Sequence, residues 1–128
     1  MVGAQALTVR PIGAAEAASR LQGVAERDPS GLARSAEDLT RNGQAFAIDG
    51  DAGSAVFVVA VRSGCAFVVA AKGSGDIDMT DVLDRVITRG ATNDGCKSIA
   101  FQTARPGLVR KLTRKGFRVT GWVLKKDL

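Results

Sequence analysis

The feature that most constrains this chain is a pair of apolar runs, Ala55–Val61 and Cys65–Ala71, held apart by little more than Ser63–Gly64. Each run is rich in Val, Phe and Ala and has no polar residue at alternate positions. A strand with one wet face alternates. A strand with none does not. Ser-Gly between two such runs is a tight-turn signal. The pattern therefore predicts a hairpin, Ala55–Arg62 with Cys65–Ala71, at the centre of a sheet covered by helices on both faces.

The flanking segments supply those covers. Ala6–Pro11 reads as a first strand. Ala14–Arg27 is Ala-rich and reads as a helix broken by Asp28–Pro29–Ser30–Gly31. Leu32–Arg41 resumes the helical pattern, with Leu32, Ala36 and Leu39 on one face, and stops at Asn42–Gly43. Gln44–Ile48 is a short strand, and Asp49–Gly53 has turn chemistry. Beyond the hairpin, Lys72–Gly73–Ser74–Gly75 interrupts the apolar pattern and reads as a loop. Met79, Val82, Leu83, Val86 and Ile87 follow the spacing of one buried helical stripe, with Asp78 as N-cap and Asn93–Asp94–Gly95 as the stop. Ser98–Thr103 reads as a strand and Leu108–Lys115 as a short helix, with Pro106 near its first turn and Gly116 just past its end. Phe117–Lys125 reads as a last strand that brings Trp122 into the core. The order is β-α-α-β-β-β-α-β-α-β. It implies an α/β (α+β) fold, a mostly antiparallel mixed sheet with helices on both faces, in a single domain over 1–128.

Charge is unevenly placed. Residues 1–96 carry 9 basic and 12 acidic side chains, whereas residues 97–128 carry 9 basic and 1 acidic. A concentrated positive field suits an anionic partner: cofactor phosphates, nucleic acid or an acidic protein. No apolar stretch approaches the roughly 20 residues of a membrane span, and Met1–Arg10 shows no leader pattern. A cytoplasmic protein with no membrane partner is expected. Cys65 and Cys96 form no metal-ligand spacing and the chain has no His, so no metal is expected and both thiols read as reduced core residues.

The strand and helix order over Val56–Leu128, the Gly-containing stretch before the long helix, and the ending Leu112–Thr113–Arg114–Lys115–Gly116–Phe117 together resemble the GNAT superfamily of N-acetyltransferases. The run from Phe101 to Leu112 is also similar to small GNAT-like proteins of phages and prophages. The resemblance implies acetyl-CoA, or another acyl-CoA, as co-substrate and an unidentified amine, small molecule or protein, as acceptor. It implies phosphate contacts at Lys72, Gly73, Ser74, Gly75 and Asp76, where a Gly-rich turn would open onto a helix start. It places main-chain groups at Val68 and Ala70 beside the acyl-thioester, and Arg105 and Arg110 as grips for the phosphates. The pattern departs from the family in three places. Ala70 stands where Arg or Gln is usual, Arg105 where Asn is usual, and Leu112 where a Tyr often protonates the leaving thiolate. The chain has no Tyr at all.

No catalytic residue is singled out. Glu37, Asp49 and Asp51 are candidate carboxylates in the half where such proteins build the acceptor site, and a positioned water is the alternative base. Three readings stay open at this level: an acyl-CoA-dependent N-acyltransferase, a non-catalytic module of the same fold, and a nucleic-acid-directed relative. A homodimer is also left open.

Overall fold

The structure, a computed structural model, describes residues 7–24, 35–41, 43–75, 78–103, 105–122 and 124–128. Pairing starts at the expected hairpin. Strand β3 (Gly53–Arg62) and strand β4 (Cys65–Gly75) join through Ser63 and Gly64, both in the left-handed region at φ 51° and 75°. Two successive positive φ values match the twist of the flanking strands, which makes this the favoured two-residue hairpin turn. Strand β2 (Gln44–Gly50) pairs antiparallel with β3, and strand β1 (Leu7–Ile12) antiparallel with β2. Strand β5 (Ser98–Phe101) runs parallel to β4, giving one mixed sheet in the order β1-β2-β3-β4-β5. The parallel step uses a helical crossover, helix α3 (Met79–Asn93), as parallel strands require.

Helices cover both faces, as the apolar runs demand. On one side, helix α1 (Ala14–Arg20) and helix α2 (Ala36–Thr40) bury Ala17, Ala18, Leu21 and Leu39 against Ala45, Ala47, Val56, Val58 and Ala70. On the other, Ile87 and Ala91 of α3 pack on Ile48, Phe57, Ala66 and Val68. Of the stripe expected on α3, Ile87 is buried and Val86 packs against the cluster, while the side chains of Met79, Val82 and Leu83 lie outside the described set.

Several boundaries differ from the sequence expectation. α1 ends at Arg20 rather than Arg27: Leu21–Val24 is a turn, and Gly23 takes φ 86°. Residues 25–34, which include the expected break and the start of the second helix, lie outside the described residues. α2 begins where Ser35 accepts a hydrogen bond from the Asp38 N–H at 3.3 Å, an N-cap that fixes its start. α3 and helix α4 (Pro106–Arg114) both close as the glycines suggest. Gly95 and Gly116 sit at φ 77° and 96°. The Cys96 and Phe117 N–H groups donate back to the carbonyls of Ala91 and Leu112 at 2.8 and 3.0 Å. That is the Schellman ending, which satisfies carbonyls the helix leaves over.

Two expectations are corrected. Gly73–Ser74–Gly75 is not a loop. It continues β4, with Ala55, Ser54 and Gly53 opposite. The reason is cross-strand: small residues face small residues, so the backbones approach closely. A Cβ added at Gly75, which sits at φ 81°, would run into the Ala52 carbonyl oxygen, and one at Gly53 into that of Ser74. Secondly, the last strand does not form. The described residues from Phe117 to Leu128 adopt no regular structure, and Trp122 is exposed rather than in the core. A strand needs a neighbour to take its hydrogen bonds, and no described strand pairs with this segment.

Candidate functional site

The site is an interruption in the ladder. β4 has eleven residues but pairs with β5 only from Cys65↔Ser98 to Val68↔Phe101. After Phe101 the chain leaves strand geometry, while β4 continues to Gly75. Beyond Val68, no described strand pairs with the β5-facing flank of β4. Buried backbone groups are almost always paired, so an unpaired flank beside a core is where a ligand's amides and carbonyls can dock.

A bulge sits at the same point. Val59 pairs with Val68, and Val58 pairs with Ala70, so Val69 is the extra residue. A bulge interrupts the alternation of faces. Ala66 and Val68 pack on the α3 side, yet Ala70 packs on the α1–α2 side and Ala71 on the α3 side. Both expected thioester neighbours are thus buried core residues, and they lie on opposite faces of the sheet.

The two sides of this opening differ in charge. On the α1–α2 side, Ala14, Ala15, Ala18, Ser19, Gln22, Glu37 and Thr40 line a shallow depression. Glu37 is its only acidic group. Asp49 instead joins Arg10 at 3.6 Å and Arg20 at 4.0 Å, a network shared with Glu16. Asp51 sits in the exposed turn before β3. Of the three candidate bases, Glu37 lines this depression. Lys72 lies on this side too: its ammonium donates to the Gln22 carbonyl oxygen at 2.8 Å and so pins the turn after α1.

On the opposite side, α4 carries the basic cluster. Leu112 is its buried residue, and Arg110, Lys111 and Arg114 project outward. Arg105 stands at the N-cap of α4, where its N–H donates to Thr103 Oγ1 at 3.1 Å. Arg105 and Arg110 make no ion pair among the described residues. Lys115 does: its ammonium meets Asp81 Oδ1 at 3.0 Å and ties the end of α4 to the first turn of α3. Asp81 also holds Arg85 at 3.2 Å. The hydrogen bond from Lys115 pulls the Asp81 carboxyl below its ordinary range; desolvation opposes this, and the charges of Lys115 and Arg85 reinforce it. The same hydrogen bond raises the Lys115 ammonium, helped by the charges of Asp81, Asp84 and Asp78.

The start of α3 is partly occupied by the chain itself. The Asp78 carboxylate accepts from the Asp81 N–H at 3.2 Å. Gly73, Ser74 and Gly75 lie before it in the ladder with β3, where the Ser74 and Ser54 hydroxyls meet at 3.1 Å. Asp76 lies outside the described residues. The fold therefore brings Val68 and Ala70 to the opening, sets Arg105 and Arg110 on the element that follows β5, and turns Lys72 toward α1. The bulge at Val69 and the depression beside Glu37 were not visible in the sequence. Val-Val-Ala-Ala carries no bulge signal, and the depression forms only when α1 and α2 meet.

No protein-family model matches this chain, and no curated protein does. Among solved structures, the chain is similar to the crystal structure of glucosamine-6-phosphate N-acetyltransferase from Arabidopsis thaliana, at 8% identity and a TM-score of 0.46, over 95% of this chain and 98% of that one.

Proposed function

We propose that this protein is an acyl-CoA-dependent N-acyltransferase. The observation that carries the reading is the opened flank of β4 beyond Val68, with a bulge at its mouth. A pantetheine arm is an extended chain of amides. It pairs with such a flank as an added strand would, taking main-chain hydrogen bonds at Val68–Ala71. The nucleotide phosphates then lie toward α4, where the guanidinium groups of Arg105 and Arg110 make no ion pair among the described residues. The acceptor amine approaches from the α1–α2 side, through the depression that Glu37 lines.

Catalysis on this reading is chiefly positioning. The amine attacks the thioester carbon, the thiolate leaves, and the amine proton passes to Glu37 or to a water it holds. Holding both reactants in line replaces a bimolecular encounter by a local one. With neither His nor Tyr in the chain, the leaving thiolate takes its proton from solvent.

The test is isothermal titration with acetyl-CoA. Saturable binding is expected, and its absence at millimolar cofactor would remove the proposal. A second reading is favoured by two observations: Asp78 already caps α3, and the chain lacks the usual acid. It is a non-catalytic module that binds the cofactor without turning it over. Binding with no free thiol released across a broad amine panel distinguishes it.

A further inference from the structure

The last quarter of the chain carries a positive field, and the fold turns part of it outward on one helix. Residues 97–128 hold 9 basic side chains against 1 acidic one. Helix α4 gathers three of the nine. Arg110 and Arg114 stand one turn apart and share a face, and Lys111 flanks them. All three are exposed, whereas Leu112 is buried and Leu108 and Val109 are half-buried. The helix contains no acidic residue. Among the described residues, none of the three makes an ion pair. Lys115 is not part of this face: its ammonium turns to Asp81 at 3.0 Å and offsets the acidic start of α3 on that side.

What the face lacks narrows its partner. A protein interface has an apolar core inside a polar rim, and a helix that settles on a lipid surface buries an apolar stripe in it. From Arg110 to Arg114 the exposed residues are Arg110, Lys111, Thr113 and Arg114, with no apolar side chain among them. Single-stranded nucleic acid is held on aromatic rings where bases stack, and α4 has no aromatic residue. A duplex needs none of these. Its phosphates form a line of fixed negative charge, one per roughly 1.7 Å of axis, outside bases that are already stacked. Guanidinium groups hold phosphate oxygens in pairs, and an ammonium meets them as a point charge.

We propose that the outward face of α4 binds the phosphate backbone of a nucleic-acid duplex through Arg110, Lys111 and Arg114, without reading its sequence or its sugar. Phosphate contacts place a protein on a duplex and carry no sequence information. The inference stands apart from the acyltransferase reading. Lys111 and Arg114 have no part in the cofactor site, and a chain that failed to bind acetyl-CoA would keep this face. Arg110 is common to both, so the variants below leave it in place.

The whole protein is titrated into a fluorescently labelled DNA duplex of about 20 base pairs, and anisotropy is followed from about 50 to 200 mM salt. Saturable binding is expected at the lowest salt, with comparable affinity for an RNA duplex of the same length. The plot of log affinity against log salt should have a slope of about −3, because each neutralised phosphate contributes roughly −0.9. Lys111→Gln combined with Arg114→Gln should make that slope shallower by about two and weaken binding at least about tenfold. Both positions are exposed, and Gln forms helix about as well as Lys or Arg, so circular dichroism stays that of wild type. No binding at the lowest salt overturns the proposal. So does a slope near zero, or a double variant that binds as wild type does. A single strand bound more tightly than the duplex overturns it too, as does an acidic peptide or a phosphatidylserine vesicle bound as tightly, because the partner is then of another class.

Discussion

Two adjoining stretches of β4, Cys65–Val68 and Val69–Ala71, are both apolar and have opposite situations. From Cys65 to Val68 the strand is hydrogen-bonded to β3 on one flank and β5 on the other. From Val69 to Gly75, β3 is the one described neighbour. Ala66 and Val68 in the first half, and Ala70 in the second, are all buried. Side-chain burial thus does not separate these two stretches. Pairing does. A strand supplies ligand contacts through its main chain only where its neighbour has turned away, whatever side chains it carries.

The comparison breaks most readily at Ala66. Ala66→Asp places an unpaired carboxylate between α3 and two strands and is expected to cost more than about 3 kcal/mol in urea unfolding. Ala71→Asp, half-buried beside the opening, should cost under about 2 kcal/mol yet abolish most acetyl-CoA binding in titration calorimetry. Equal stability losses would show that the second half is as enclosed as the first.

Next in size is the anion grip. Arg105→Gln and Arg110→Gln together remove two charge-assisted donors, and cofactor affinity is expected to fall by about tenfold or more. Acetyl-pantetheine, which lacks the nucleotide and its phosphates, sharpens the assignment, since wild type and variant should bind it alike. Gly116→Ala forces a side chain into the left-handed region at φ 96°. The expected cost is about 1–2 kcal/mol, read as a lower melting temperature.

The smallest effect concerns the Asp81–Lys115 contact that fastens α4 to α3. Asp81 has its carboxyl lowered in the folded state, so its contribution is complete above the ordinary aspartate value of about 4 and fades as pH falls through the lower folded value. Lys115 is raised, so its contribution is complete below about 10.4 and fades above that, toward its higher folded value. Asp81→Asn should therefore differ from wild type at neutral pH and converge with it in acid. An exposed pair makes the difference small. No convergence on acidification would show that Asp81 acts through its α3 packing and not its charge.

Much of this was legible residue by residue. The continuous apolar runs fixed a hairpin covered on both faces. Ser63–Gly64 marked its turn, and Gly95 and Gly116 marked two helix ends. These signals are local: a positive φ or an uninterrupted apolar run means the same thing in any fold. Gly73–Ser74–Gly75 was misread because its meaning lies across the sheet, at Gly53–Ser54, where equally small residues let two backbones close. Trp122 was misread because an apolar segment states that it wants burial and not where burial is to be found.

What the sequence determined alone was the order of the elements from β1 to α4 and the covering of the central hairpin on both faces, because hydrophobic periodicity and turn chemistry act over a few residues. What only the tertiary structure decided was where pairing stops. The parting of β4 from β5 after Val68, the shift of faces at Val69 and the open edge at Ile99–Phe101 are relations between segments distant in sequence. Each is set by which hydrogen bonds a strand fails to make, and a residue's identity carries no record of a missing neighbour.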